Sequence, residues 1–184
     1  MSDYTKDSKL IETHLGDDYD RFLNSVTPPV FLNSLHVLDS IESYTHVAPA
    51  SKYFYGRLSN PTVEIAEKKI AALEHGKDAV VFSSGMAASA AAVMTICGPG
   101  DHIICVDGSY IEGFIKKHGV DKQGMEMTVV DGRNLEEFEN AVKPNTKLIV
   151  IESPVSLIFS VQDIRGVVAI AKKHGIKKIG RAHV

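Results

Sequence analysis

Hydrophobic and polar positions follow no sustained period over residues 1 to about 50, where Pro28, Pro29 and Pro49 interrupt short, isolated apolar runs. That stretch reads as an extended N-terminal arm. From Asn60-Pro61-Thr62, a capping residue followed by a helix-start proline, Val63, Ala66, Ile70 and Leu73 fall on one helical face until Gly76 ends it. Ala79 to Phe82 reads as a short apolar strand, Ser83-Ser84-Gly85 as a turn, and the alanine-rich Met86 to Ile96 as a helix. The alternation continues through strand His102 to Val106, helix Ile111 to Lys117, strand Glu126 to Val130, helix Leu135 to Val142, strand Leu148 to Ile151 and helix Ile164 to Lys173. Continuous apolar strands alternating with helices imply an α/β fold, a mostly parallel sheet with helices on both faces.

Composition narrows the function. The 184 residues are 44% hydrophobic and 23% charged, as in ordinary globular domains, which excludes a disordered or fibrous chain. Lys and Arg total 20 against 23 Asp and Glu, so no global positive field exists to hold nucleic acid or an anionic membrane, and neither partner is expected. Met1 to Leu15 has charges and no long apolar run, hence neither secretory signal nor anchor; a cytoplasmic location is expected. Cys97 and Cys105 lack metal-ligand spacing and read as reduced, structural thiols. Seven of the eight histidines show no HExxH pattern or i,i+4 pairing and each reads as a surface or half-buried residue, while His183 belongs to the C-terminal tail treated below; no metal is expected. A serine hydrolase is excluded because no GxSxG elbow occurs.

In such sheets ligands bind outside the carboxyl ends of the strands. The turn Ser83-Ser84-Gly85-Met86 places the first N–H groups of a helix, which have no intrahelical acceptor, where they can donate to an anion; the same turn also suits a capped helix that holds nothing. Tyr55-Gly56-Arg57 sets a phenol and a guanidinium two residues apart, able to share one phosphate or to form a plain surface turn. Tyr110, after the strand ending at Val106, can stack on a flat ring or fill space over the sheet.

Taken together, Tyr55-Gly56-Arg57, Asn60-Pro61-Thr62, Leu73-Glu74, Ser83-Ser84-Gly85-Met86-Ala87-Ala88, Gly100-Asp101-His102, Tyr110 and Glu152-Ser153-Pro154 resemble, in order and spacing, the Cys/Met-metabolism (trans-sulfuration) family of pyridoxal-phosphate enzymes. The family includes cystathionine β- and γ-lyases, cystathionine γ-synthase, methionine γ-lyase and acylhomoserine sulfhydrylases. The likeness runs from about His14 to Lys177. It implies the first part of a fold-type-I large domain over residues 51–178, and pyridoxal 5'-phosphate as cofactor. It also implies a small amino-acid substrate and a homodimer or homotetramer with shared active sites. Under this resemblance Gly85 and Met86 donate backbone N–H groups to the cofactor phosphate, and Tyr55 and Arg57 reach the phosphate in a neighbouring subunit. Tyr110 stacks on the pyridine ring. Where many relatives carry Gly-Gly-Thr after the tyrosine, Ile111-Glu112-Gly113 stands here. Where many carry x-Asn-Pro after Glu-Ser-Pro, Val155-Ser156-Leu157 stands here, a pattern nearer the cystathionine β-lyase side.

The resemblance also implies a Schiff-base lysine and an aspartate facing the pyridine nitrogen, both beyond the last residue of this chain. Lys116, Lys117, Lys172 and Lys173 lie on solvated helix faces and do not substitute. Residues 179–184, Ile-Gly-Arg-Ala-His-Val, are what ATC GGA AGA GCA CAC GTC would encode; with TGA as the next triplet and AAG as the codon for Lys178, this would read as a sequencing adapter, and the six residues are expected to be adapter-derived. The expectation is an inactive N-terminal fragment of an enzyme that makes or breaks C–S bonds at Cβ or Cγ. The alternative from another class is a non-catalytic phosphate-binding module.

Overall fold

The computed structural model describes residues 7–17, 19–38 and 53–182. The chain divides into two compact units, Met1–Val81 and Phe82–Val184.

In the first unit, helix α1 (Ser8–His14) lies within the stretch read as an extended arm. The Asp7 carboxylate accepts from the Lys9 N–H, buried Ile11 supplies its apolar contact, and the Lys69 ammonium donates to the Glu12 carbonyl. One turn of 3-10 helix follows at Asp20–Phe22. Seven residues are too few to display a helical period, which is why the sequence pattern missed α1. Helix α2 (Pro61–Leu73) begins and ends as the sequence reading has it, with Asn60 as cap. Residues 39–52, including Pro49 of the arm, lie outside the described residues.

Ala79 to Phe82 is not a strand. Its apolar run is present, but no described strand pairs with it. The Val81 N–H donates instead to the Glu67 carboxylate, and Val80, Val81 and Phe82 are exposed. β-propensity needs a partner to be realised.

The second unit holds helix α3 (Gly85–Ile96), β1 (His102–Val106), β2 (Glu126–Val130), α6 (Leu135–Ala141), β3 (Thr146–Ser153), α7 (Ile164–Lys173) and β4 (Lys177–Ala182). Between β1 and β2 the expected helix over 111–117 is longer and broken into α4 (Glu112–Phe114), a π-helical segment (Ile115–Val120) and α5 (Asp121–Gln123). Gly119 lies buried inside the π-helical segment, where a Cβ would lie 3.0 Å from the Met125 sulfur. The stop is Gly124, in the left-handed region at φ +69°.

All strands are parallel, in the order β2-β1-β3-β4. One apolar cluster includes Val106, Phe138, Ile149 and Val167; another includes Val93, Ile103, Ile115 and Leu148. Alternate residues of β1 and β3 feed the two clusters, so the sheet is buried on both faces, as its unbroken apolar strands require. β4 pairs with β3 through Ala182 and so runs into residues 179–182, expected above to be adapter-derived; the ladder is made by backbone groups, and the Ile179 side chain packs against the second apolar cluster. No helix among the described residues is long and apolar enough to cross a membrane.

His102, expected to be at least partly exposed, is fully buried. Its ring nitrogens lie 2.7 Å from the Thr146 hydroxyl and 2.8 Å from that of Thr128, joining β1 to both neighbours. Burial, aided by Lys143 and opposed by Glu126, lowers its pKa from 6.5. The unfolded chain therefore takes up the proton first, so this residue's contribution is complete above pH 6.5 and declines as pH falls towards the folded-state value. Urea midpoints between pH 7.5 and 5 should show a shallower loss of stability for His102→Asn than for the parent chain; parallel losses would contradict this.

Candidate functional site

The strand order places a topological switch point at the carboxyl ends of β1 and β3: the chain leaves β1 towards β2 on one side and leaves β3 towards β4 on the other. Tyr110 follows β1 and Glu152 lies near the end of β3. A cavity of about 50 Å³ opens between them, lined also by Ser89 and Val93 of α3 and by Ile179 and Gly180 of β4.

Each wall has a local cause. Ser84 adopts an extended conformation and its hydroxyl accepts from the Ala87 N–H at 3.1 Å, starting α3 one residue earlier than the sequence pattern gave. The Ser84 carbonyl takes the Ala88 N–H. The N–H groups of Gly85 and Met86 then have no acceptor among the described residues, and a Cβ on Gly85 would meet nothing within 4 Å. Two unmet donors at the positive end of a twelve-residue helix suit a phosphate, and the space over Gly85 admits one. Tyr110 is 60% exposed, so its ring faces outward instead of filling the core. Glu152, by contrast, is buried. Its carboxylate accepts from the Tyr110 N–H at 2.7 Å and from the Ser156 hydroxyl at 2.6 Å. Sequence reading quoted Glu152 only as part of a motif; the partner that gives it a role is forty-two positions away, and no local signal marks it.

Tyr55 and Arg57 belong to the first unit. Backbone bonds from the Gly56 N–H to the Ser34 carbonyl and from the His36 N–H to the Phe54 carbonyl tie this turn to an earlier segment. Only glycine fits at position 56, because a Cβ would lie 2.7 Å from the Asn33 carbonyl oxygen. The Arg57 guanidinium lies over the Tyr55 ring, 4.7 Å from its centroid, and forms no ion pair among the described residues. It borders a cleft of about 460 Å³ together with Tyr53, Asn60, Glu64 and Glu67. Asn60 does more than cap α2: its amide donates to the Phe31 carbonyl while the Thr62 hydroxyl accepts the Phe31 N–H, fixing the turn's approach to the helix. Gly85, Met86 and Tyr110 thus share one unit, and Tyr55 and Arg57 share the other.

The cysteines are buried and free. Burial pushes both thiols up to about 11, with Asp101 adding to the effect at Cys97 and Ser109 opposing it at Cys105, so neither is a nucleophile at neutral pH. No group of His, Cys, Asp and Glu among the described residues could hold a metal ion.

Comparison with known proteins fits this geometry. The sequence profile of the Cys/Met metabolism PLP-dependent enzymes matches residues 9–179. An L-methionine gamma-lyase of Pseudomonas deceptionensis is 38% identical over 153 residues, 82% of this chain and 38% of the relative. The cystathionine beta-lyase MetC of Staphylococcus haemolyticus is 35% identical over 173 residues, 92% of this chain and 41% of the relative. The chain thus spans about two fifths of the length of these curated relatives. Among solved structures, metB from Corynebacterium glutamicum superposes with a TM-score of 0.83 at 30% identity, covering 96% of this chain and 45% of that one. The metY protein of Campylobacter jejuni, solved with a pyridoxyl-lysine phosphate, also gives 0.83, at 26% identity, over 95% of this chain and 44% of that one. With its parallel sheet, its open helix N-terminus and a profile match over nearly its whole length, the chain belongs to the Cys/Met metabolism family of PLP-dependent enzymes.

Proposed function

We propose that this chain is the N-terminal part of a pyridoxal-phosphate enzyme of sulfur amino-acid metabolism, one that makes or breaks C–S bonds at Cβ or Cγ, nearer a cystathionine β-lyase or γ-synthase than a methionine γ-lyase or acylhomoserine sulfhydrylase. The observation that carries the reading is the pair of unmet N–H donors at Gly85 and Met86, with Tyr110 standing exposed at the switch point of the same unit. When bound, pyridoxal phosphate supplies an electron sink for the pair released at the substrate's Cα, which lets a sulfur leaving group depart. The chain's own residues do the holding. Gly85 and Met86 donate to the phosphate, the α3 dipole favours its charge, and Tyr110 offers an aromatic face to the ring. Tyr55 and Arg57 add a phenol and a guanidinium to the phosphate of a neighbouring subunit.

Neither the Schiff-base lysine nor the aspartate facing the ring nitrogen is among the 184 residues in this reading, and residues 179–184 are read as adapter-derived. Lys116, Lys117, Lys172 and Lys173 are all exposed and none lines the cavity. The 184-residue chain treated with pyridoxal phosphate and then borohydride should therefore carry only scattered, substoichiometric labels. The protein expressed from its whole gene should label at one lysine and release a 2-oxo acid from a sulfur amino acid. A stoichiometric adduct at one lysine of the short chain, or a whole-gene product that leaves cystathionine, methionine and homoserine esters untouched, would overturn the reading.

A further inference from the structure

We infer that Glu152 is a positioning residue: its buried carboxylate holds the backbone of Tyr110 and thereby sets the direction in which the Tyr110 ring meets its ligand. Three observations carry this. The side chain is 4% exposed, yet both of its oxygens accept from protein donors, the Tyr110 N–H and the Ser156 hydroxyl. The bond to Tyr110 crosses from the end of β3 to the loop after β1, the two strands that flank the switch point. Glu152 and Tyr110 also line the same small cavity. A hydrogen bond to a charged acceptor is about twice as strong as a neutral one, and in a buried setting it fixes one geometry. The loop is further held by the Gly108 N–H donating to the Glu112 carboxylate at 2.9 Å, so Tyr110 lies between two side-chain anchors. Ser156 completes the arrangement: its hydroxyl occupies the second oxygen and ties the segment after Pro154 to the same carboxylate.

This inference rests on the proposed role of Tyr110 toward the cofactor ring, and its test separates the two. Hydrogen exchange on the whole-gene protein, stripped of cofactor, reads the positioning directly. Glu152→Gln keeps the shape but places an amide donor against one of two donors, and should speed exchange of the Tyr110 amide at least about ten-fold while α7 is unchanged. Ser156→Ala leaves the carboxylate but frees one oxygen; it should raise the same exchange by a smaller factor, and it serves as the test if the glutamine variant does not fold. Unchanged exchange at Tyr110, or an increase spread equally over α7, would overturn the inference. In the whole-gene protein, Glu152→Gln should weaken pyridoxal phosphate binding several-fold and leave inorganic phosphate binding unaltered. Equal losses for both ligands would also overturn it. If the parent protein bound no pyridoxal phosphate while the exchange result held, the proposed function would fail and the positioning of Tyr110 would stand.

Discussion

Arg57→Ala in the whole-gene protein should weaken pyridoxal phosphate binding by about ten- to a hundred-fold, whereas Tyr110→Phe should change it by no more than about three-fold. The difference follows from what each substitution removes. Arg57 presents a guanidinium without an ion-pair partner among the described residues, stacked on the Tyr55 ring and so already restrained. Alanine at that position loses a charge-assisted, bidentate phosphate contact, for which about 1.5–3 kcal/mol is typical. Phenylalanine at position 110 keeps the aromatic face and the backbone N–H that Glu152 holds, giving up only the phenolic oxygen. Absorbance titration at fixed ionic strength measures both. Raising the salt should narrow the gap between parent and Arg57→Ala, because screening weakens the charged contact that only the parent retains. Equal affinities for the two variants would refute the roles assigned to these residues.

Much of the second unit was legible in the sequence because its elements carry their own boundaries. Strands His102–Val106 and Glu126–Val130 and helix Ile164–Lys173 coincide with the pattern, the helix because Asp163 caps it with a bond to the Gly166 N–H and Gly175 follows its end. Where the physics is tertiary, the pattern failed. Ala79 to Phe82 has the composition of a strand, but pairing is a property of two segments and no described strand lies beside it. The helix read over Ile111 to Lys117 runs on to Gln123, and its buried Ile115 and Gly119 lie against the sheet unit's core, a contact that spacing does not encode.

The candidate site divides in the same way. Gly85 and Met86 were legible because unmet N–H groups follow from any helix start, and the structure adds that the Ser84 side chain satisfies the Ala87 N–H and leaves these two open. Position 56 could be read only as part of a motif; the backbone approach of Asn33 supplies the reason for glycine there. Glu152 lay in plain view, but its carboxylate meets the Tyr110 N–H only because β1 and β3 pair side by side, and neither period nor spacing encodes that.

Mixing Arg57→Ala, at a pyridoxal phosphate concentration that fills parent sites and leaves its own sites empty, with an inactive variant lacking the Schiff-base lysine should restore activity to about a quarter of the parent sites when equal amounts exchange subunits at random. Half the dimers are then hybrids, and one of the two sites in each is intact. That site takes its lysine, Gly85, Met86 and Tyr110 from the Arg57→Ala chain and its Arg57 from the other. The candidate residues divide between the two units: Gly85, Met86 and Tyr110 are built on the parallel-sheet unit, while Tyr55 and Arg57 stand at the edge of an open cleft in the unit that ends at Val81. If Arg57 served the phosphate of its own chain, every hybrid site would lack either the lysine or the arginine, and mixing would restore nothing. Subunit exchange is confirmed independently by labelling one variant and measuring energy transfer on mixing. With exchange confirmed, recovered activity assigns Arg57 to the neighbouring subunit, and continued inactivity assigns it to its own.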